Sequence, residues 1–424
     1  MSTTTHSKAL EGLAGRDGKI RVKTGPRSPA RTPLVPGISA LLTAIGAGVF
    51  IFQVAAGDAA KAWQAYLVSF LLFAAIAHGA LLFSTLMHLT RARWSGPLAD
   101  LAEAFTAFFP LSFVLFLLLL AGRNHLFPWA GHDLHGKEAW LNLPFLFSRD
   151  AAGLLILYGL GLGYLYHVLW FKISARGASG AVGRWLLRRW QKRPPDPIRY
   201  HRRATFLAGF YMLAFALVLS LLGYDLVMSM DPHWYSTLFG AYSFVKAIYV
   251  GFGAVIILAA ILHLHQANRF RLKPAQFHDI GKLFFAFGLV WADFFYAQLV
   301  VIWYGNISEE TAYVIERVMT PPWQGLAWTV FIVCFVAPFL ILLNQRIKTM
   351  PAAMIAVCGF VISGIWLEHF LLLGPVYHTH AQALPLSWID GAVALGFLGL
   401  LAAALSVYLK QFPEILHTRL EENR

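Results

Sequence analysis

The sequence predicts an all-α integral membrane protein with about ten transmembrane helices. Of its 424 residues, 58% are hydrophobic and only 13% are charged, and the mean hydropathy is +0.60. A soluble domain carries about twice that share of charged residues, so this composition indicates a lipid environment. Two further observations support the same fold class, namely the length of the apolar runs and the distribution of the basic residues.

Ten apolar runs are long enough to cross a bilayer, because a hydrocarbon core of roughly 30 Å requires about 20 residues of helix. The predicted spans are 37–56, 62–88, 98–120, 149–173, 205–230, 238–265, 279–304, 326–343, 350–372 and 388–409. Together they form a membrane domain over 36–410. Residues 1–35 are rich in Ser, Thr, Gly, Pro and basic residues, which predicts a disordered cytoplasmic tail, and 411–424 form a second tail.

Basic residues are concentrated in the segments that share one side of the membrane with the N-terminus. They occupy the N-terminal tail, the connections that follow the even-numbered spans and the C-terminal tail. Those on the opposite side are Lys61, Arg123, Lys137, Arg149 and Arg317. The positive-inside rule therefore predicts a multi-pass protein with both termini in the cytoplasm. The net charge of +13 is explained by this topology and by anionic lipid, so no nucleic-acid partner is expected.

An internal repeat is predicted from two similar segments that lie four spans apart. Residues 88–108 and 265–287 both contain His, Arg-x-Arg, Pro and the pattern D-[LI]-[AG]-x-x-F-x-A-F. An offset of four helices preserves orientation, so we expect two parallel four-helix bundles, over 62–230 and 238–372, with two flanking helices. Each unit also ends with an acid seven residues before a proline, Asp225 in the first and Glu368 in the second.

Several ionisable residues fall inside predicted spans, where an unpaired charge costs at least ~2.5 kcal/mol. In the seventh span, Lys282, Asp293 and Tyr304 lie nearly in line, and Tyr296 is one turn from Asp293. We expect this face to point toward the protein interior or a hydrated path. The candidates for a proton path are Asp225, Lys246, Lys282, Asp293, Tyr296, Glu368 and His369. The same residues would also serve as ties between helices, and His78 is expected to make such a structural hydrogen bond.

The two cysteines, Cys334 and Cys358, lie singly in predicted spans. There is no CxxC pair for zinc or an iron–sulfur cluster, and no CxxCH motif for covalent haem. We therefore expect no metal centre and no covalently bound cofactor in this chain.

Two segments carry a resemblance to a known family. Residues 224–242, YDLVMSMDPHWYSTLFGAY, and 284–311, FFAFGLVWADFFYAQLVVIWYGNISEET, resemble the NrfD/polysulfide-reductase membrane subunits, and within them the ActF-type subunit of alternative complex III. The resemblance implies a membrane subunit without redox centres in a bacterial quinol:cytochrome c oxidoreductase of the inner membrane. The implied partners are a homologous NrfD-type membrane subunit, an extracytoplasmic iron–sulfur subunit and cytochrome c subunits, and the implied ligand is quinone or menaquinone.

Quinol oxidation requires a planar apolar slot with a proton acceptor near the quinol oxygens. Residues at the predicted outer ends of the helices have suitable chemistry, and the quinone-binding candidates are Asp231, His233, Trp303 and Tyr304. An aromatic belt at the membrane interface would place Trp and Tyr at these ends equally well. Which of the two homologous subunits binds quinone is left open by the sequence.

Two other functional classes share some of these features. A secondary transporter with a hydrated ion path also contains repeats and charges near the midplane, although its repeats are usually inverted. A dihaem cytochrome b anchor needs facing His pairs at a regular separation along two helices. His78 and His88 are ten residues apart, whereas His263 and His265 are two apart, which disfavours that class.

Overall fold

The computed structural model describes residues 36–132, 134, 136–192, 194–267, 269–378 and 381–416, and every regular element within them is helical. Ten helices are long and apolar enough to cross a membrane, which confirms the predicted fold class. They are α1 Pro36–Ala56, α2 Ala59–Leu89, α3 Arg93–Leu118, α4 Leu143–Arg176, α5 Pro197–Met230, α6 Leu238–His265, α7 Pro274–Gly305, α8 Trp323–Leu343, α9 Pro351–Tyr377 and α10 Trp388–Gln411. The predicted tail 1–35 and residues 417–424 of the second tail lie outside the described residues.

Two shorter helices lie in the connections at opposite ends of the bundle. The interfacial helix, Ala181–Lys192, joins α4 to α5, and the capping helix, Ser308–Val318, joins α7 to α8. Gly305 and Asn306 follow the seventh predicted span and are typical of a helix terminator, and this prediction is confirmed because Asn306 adopts the left-handed conformation with φ of 49°. That conformation is typical of the residue that ends a helix and lets the chain turn immediately into the capping helix.

The centre of the molecule is the crossing of α2 and α6, the two most deeply buried helices. Gly79 of α2 and Gly251 of α6 meet there, and a Cβ atom added to either glycine would overlap backbone atoms of the opposite helix. Small residues at a crossing allow two backbones to approach closely, which favours packing in a bilayer. From this crossing α6 also contacts α5, α7 and α9, so it connects the two halves of the bundle.

Helices α1 and α10 pair with each other at the rim of the molecule. Gly46 and Gly396 form the contact, and most of α1 is exposed on its other faces. One buried ion pair fixes α10 to α2, in which Lys61 Nζ lies 2.9 Å from Asp390 Oδ2. Burial and the nearby Lys61 ammonium lower the pKa of His378, which lies just beyond α9 and contacts the Gln64 side chain at 3.0 Å.

The helices of each predicted unit pack together. The first unit contains α2, α3, α4 and α5, and the second contains α6, α7, α8 and α9. Residues at corresponding positions of the two units nevertheless differ in their environment. Asp100 is buried and paired with Lys172 at 2.6 Å, whereas Asp279 is half-exposed and pairs with Lys282 at 2.7 Å. The superposition of the two units stays a prediction.

Candidate functional site

The polar face of α7 points out of the molecule, not into it. Lys282 and Asp293 are exposed, and the exposed fractions of Tyr296 and Tyr304 are 61% and 84%. The buried face of α7 is instead made of Phe277, Ile280, Gly281, Phe284, Gly288 and Trp291. The expectation that the stripe faces the interior is therefore wrong, because these aromatic and small residues pack against α6 and leave the polar face outside.

Asp293 has no ion-pair or hydrogen-bond partner within the part of the chain that the structure describes. Lys282 is occupied by Asp279, one turn away on the same helix. The structure thus separates Lys282 and Asp293 from the other candidates for a proton path, whereas Tyr296, although largely exposed, also lines a cavity that Tyr242 borders. A carboxylate on an outward face of a transmembrane helix is costly when that face contacts lipid.

Three of the other candidates meet in the interior of the second unit. Glu368 of α9 is fully buried, and its Oε1 accepts a hydrogen bond from the Tyr242 hydroxyl of α6. Lys246 Nζ lies 3.4 Å from the same oxygen, so an acid and a base form a buried pair between α6 and α9. His369 is adjacent in the chain and is also buried, with Nδ1 2.8 Å from the carbonyl oxygen of Ile365.

An apolar cavity of about 310 Å³ adjoins this pair at the end of the bundle that the capping helix covers. Its walls come from α6, α7, α8 and α9 and include Phe239, Tyr242, Phe295, Leu299, Ile302, Ala327, Phe331, Leu371 and Leu372. Tyr242 therefore has two roles, since its ring lines the cavity while its hydroxyl group donates to Glu368. This tyrosine connects the apolar space to the buried carboxylate.

A stack of three side chains closes one side of the cavity. The ring of Trp234 lies parallel to that of Tyr313, with centroids 3.7 Å apart, and the Arg317 guanidinium carbon lies 3.4 Å from the centroid of the Tyr313 ring. Arg317 also donates to the carbonyl oxygen of Leu372 at 3.0 Å, which ties the capping helix to α9. Burial raises the pKa of Tyr313 above its ordinary value, although the Arg317 guanidinium acts in the opposite direction.

Several polar atoms around the cavity have no protein partner among the described residues. They are Oε1 and Nε2 of Gln298, Nε1 of Trp234 and Oε2 of Glu368. Buried polar groups without partners are uncommon in folded proteins and each one calls for an explanation, such as a ligand that completes the hydrogen bonds. Trp234 and Gln298 belong to the lining of the cavity, but these polar atoms are covered by neighbouring protein atoms, so the surface of the cavity is almost entirely apolar.

The quinone-binding candidates from the sequence lie close to the cavity in the chain but do not line it. Asp231 is half-buried and accepts from the His233 amide at 3.3 Å, and the His233 side chain is exposed. Trp303 and Tyr304 point outward. Trp234, the residue after His233, lines the cavity, and α7 contributes Gln298 to the lining but not Trp303.

In the first unit, the buried acid is held in a different way. Asp225 receives two hydrogen bonds of 2.6 Å from the Nε and Nη2 groups of Arg149, a bidentate ion pair between α5 and α4. The guanidinium group also stacks on Trp140, 3.9 Å from the ring centroid. Asp225 is therefore engaged through both oxygens, and the structure does not bring it to Glu368. Its neighbour Asp150 is fully buried against Asp225, and no donor group of the described residues reaches its oxygens.

The predicted structural role of His78 is confirmed. Its Nδ1 lies 3.2 Å from the Tyr211 hydroxyl group of α5, and its ring stacks between Phe109 and Tyr158. At the other end of this unit, Lys172 bridges Asp100 and Glu103 with 2.6 Å contacts. These contacts join α2, α3, α4 and α5 within the membrane.

Reasoning from the sequence missed Tyr242, Gln298, Tyr313 and Arg317 as residues of the site. One signal was present for Arg317, a cation on the side of the membrane that has few basic residues. The sequence did not predict Tyr242 and Gln298 as site residues, because their positions along α6 and α7 do not show which helices they face. No protein-family model and no curated protein matches the chain, so the site rests on its own geometry.

Proposed function

We propose that this chain is a membrane subunit of a quinol-oxidising respiratory complex of the alternative complex III type, in which it contributes to quinone interaction and proton translocation. The observation that carries the proposal is the apolar cavity beside the buried Glu368–Lys246 pair. The sequence resemblance of residues 224–242 and 284–311 supports it independently, because both segments contribute walls to that same cavity.

The cavity has the shape and chemistry that a quinone head group requires. A volume of about 310 Å³ suits a single substituted ring, and the walls are mostly aromatic or aliphatic. Quinone carbonyl oxygens accept hydrogen bonds, and two residues of the lining, Gln298 and Trp234, carry donors that have no partner among the described residues and lie beneath the apolar surface of the cavity. Binding would satisfy these groups once their side chains turn toward the ring.

The residues behind the cavity are suited to receive protons. A quinol must release protons as it is oxidised, and a carboxylate is an effective acceptor when it lies within hydrogen-bond reach, directly or through one intermediate group. Tyr242 is such an intermediate, since its hydroxyl group donates to Glu368 Oε1. Oε2 of Glu368 has no partner among the described residues and offers a position for a proton, with Lys246 on the far side of the pair.

Filling the cavity is expected to weaken quinone binding. We predict that a photoreactive quinone labels the purified protein in segments 295–302 and 313–318, and that Leu299→Trp lowers this labelling about tenfold, equivalent to a loss of about 1.4 kcal/mol in binding free energy. The indole would occupy the space of the quinone ring. Mass spectrometry of the labelled peptides measures the effect.

Leu395→Trp provides the matched control, because it places the same indole in a different apolar groove, between α2, α6, α9 and α10. We expect full labelling of the cavity in this variant. Equal labelling of both variants, or labels spread over the outer surface of the bundle, would exclude the cavity as the quinone site.

The outward face of α7 supports the proposed homologous membrane subunit as a partner. Asp293 lies about 18 Å from the end of α7, within the part of the helix that crosses the membrane, and has no partner in the described chain. Exposure of a carboxylate to lipid costs at least ~2.5 kcal/mol, whereas a helix of another subunit could supply a hydrogen-bonding or basic side chain. We therefore propose that this face of α7 is covered by the partner.

A tryptophan placed on this face should disrupt the complex. Val301 of α7 and Leu217 of α5 are matched positions, with exposed fractions of 64% and 63%. We expect Val301→Trp to reduce the amount of partner membrane subunit that copurifies, because a close helix contact cannot accept the larger side chain, and Leu217→Trp to have no effect in lipid. Quantitative mass spectrometry of affinity-purified complexes provides the measurement. If both variants retained the partner subunit in full, the assignment of the α7 face would be contradicted.

A further inference from the structure

The interfacial helix carries a basic surface that the proposed quinone chemistry does not use. Leu186 and Trp190 of this helix are buried, which fixes it against the bundle. Its outward side is exposed and consists largely of cations and one aromatic residue, namely Arg184, Trp185, Arg188, Arg189 and Lys192. A helix of this kind lies along a membrane surface, with its charged side toward the lipid head groups.

Two neighbouring cavities lie at this end of the bundle. The first, of about 830 Å³, is lined by Arg188, Arg189 and Lys192 together with aromatic side chains of the interfacial helix, α4 and α5. The second, of about 510 Å³, is lined by Arg199, Arg202, Arg203, His167, Phe206 and Leu207. Each cavity therefore has its own group of three cations.

An aromatic wall separates the two cavities and holds them at a fixed spacing. The Tyr200 ring lies 4.8 Å from His167 and 6.2 Å from Tyr166, and the Tyr166 hydroxyl group accepts a hydrogen bond of 2.9 Å from Trp190 Nε1. These contacts join α4, α5 and the interfacial helix. The spacing of the cavities is therefore set by packed side chains of three helices.

Most cations of the two cavities have no acidic neighbour among the described residues. In the described part of the chain, one ion pair involves them, between Arg199 and Asp196 at 3.5 Å, and both of its members are largely exposed. The buried cations of the same unit behave differently, since Lys172 contacts Asp100 and Glu103 directly. A group of six cations with so little internal neutralisation favours a ligand that carries more than one negative charge.

The surface next to the cavities is apolar and continues along the transmembrane part of α5. The rings of Phe206 and Phe210 are in contact, tilted by 39° with centroids 4.3 Å apart, and both are exposed, as are Leu213 and Leu217 further along the helix. A free phosphate or a nucleic acid would make no contact with this apolar strip. A lipid would use both parts, with its phosphates in the cavities and its acyl chains along α5.

We propose that the two cavities form a binding site for an anionic phospholipid with two phosphates, of the cardiolipin class, with one phosphate in each cavity. Basic pockets between helices on the cytoplasmic side of a membrane protein recognise such head groups, and this end of the bundle is the predicted cytoplasmic end. Guanidinium groups bind phosphate oxygens in pairs, and the cavities together contain five arginines. The site lies at the end of the bundle opposite the capping helix and is independent of the quinone cavity.

The test compares lipids that carry equal phosphate on the purified full chain. The protein is delipidated, placed in phosphatidylcholine nanodiscs that contain either cardiolipin or twice the molar amount of phosphatidylglycerol, and analysed for retained lipid by native mass spectrometry. We expect about tenfold more cardiolipin to be retained. The double variant Arg188→Gln/Arg202→Gln removes one cation from each cavity and should lower cardiolipin retention about 30-fold.

Arg346→Gln/Lys410→Gln is the matched control, since it removes two exposed cations from the same end of the bundle and should retain cardiolipin normally. Equal retention of phosphatidylglycerol would overturn the two-phosphate assignment. Competition by millimolar inorganic phosphate would show that free phosphate is the ligand. A similar loss in the control double variant would show that the effect comes from total charge, which would also reject the site.

Discussion

Gly79→Leu is expected to prevent the chain from accumulating as a folded membrane protein. A Cβ atom at position 79 would overlap the carbonyl oxygen of Ala247, so α2 and α6 would have to move apart. Overpacking typically costs 1–3 kcal/mol, and a clash with backbone at the centre of the bundle lies at about 3 kcal/mol or above. Size-exclusion chromatography of detergent extracts, combined with a thermal unfolding curve, measures the loss.

Gly159→Leu is the control for this variant, because glycine 159 of α4 has nothing within 4 Å of an added Cβ. We expect it to elute and unfold like the parent protein. Gly251→Leu should resemble Gly79→Leu, since the same crossing is affected from the other helix. A normal elution profile for Gly79→Leu would show that α2 and α6 do not cross at these glycines.

Arg149→Met should destabilise the first unit by about 3–5 kcal/mol, the usual cost of removing one partner from a buried ion pair. Asp225 would lose both of its 2.6 Å hydrogen bonds and would be left beside the buried Asp150. Methionine retains much of the length and the apolar contacts of the arginine stem. The free energy of unfolding, measured from denaturant titrations in micelles, reports the change.

A double-mutant cycle distinguishes the ion pair from a general effect of the substitution. Asp225→Asn should restore much of the stability of Arg149→Met, because the unpaired charge is removed. Arg123→Met serves as the control, as Arg123 is exposed at the same end of the bundle. If Arg149→Met were as stable as the parent and Asp225→Asn had no additional effect, Asp225 would have to be neutral or solvated in the folded protein.

Asp225 and Asp293 show why the sequence predicts an ionisable residue in a span more easily than its role. Both residues interrupt apolar runs, and the same expectation, that such a group is paired or faces a hydrated path, applied to both. The structure places one in a bidentate ion pair and the other on an outward face. Helical periodicity determines which side chains share a face, but the direction of that face depends on packing against residues distant in the chain.

The sequence by itself determined the number of transmembrane helices, their approximate ends and the left-handed residue that terminates α7. These features depend on local properties, because the length of an apolar run and the conformational preferences of Gly305 and Asn306 are read within a few residues. Only the tertiary structure decided that Glu368, Lys246 and Tyr242 meet, and that Gln298 and Trp234 border a cavity. Those contacts join helices up to 126 residues apart in the chain, and they arise from the close approach of α6 to its neighbours.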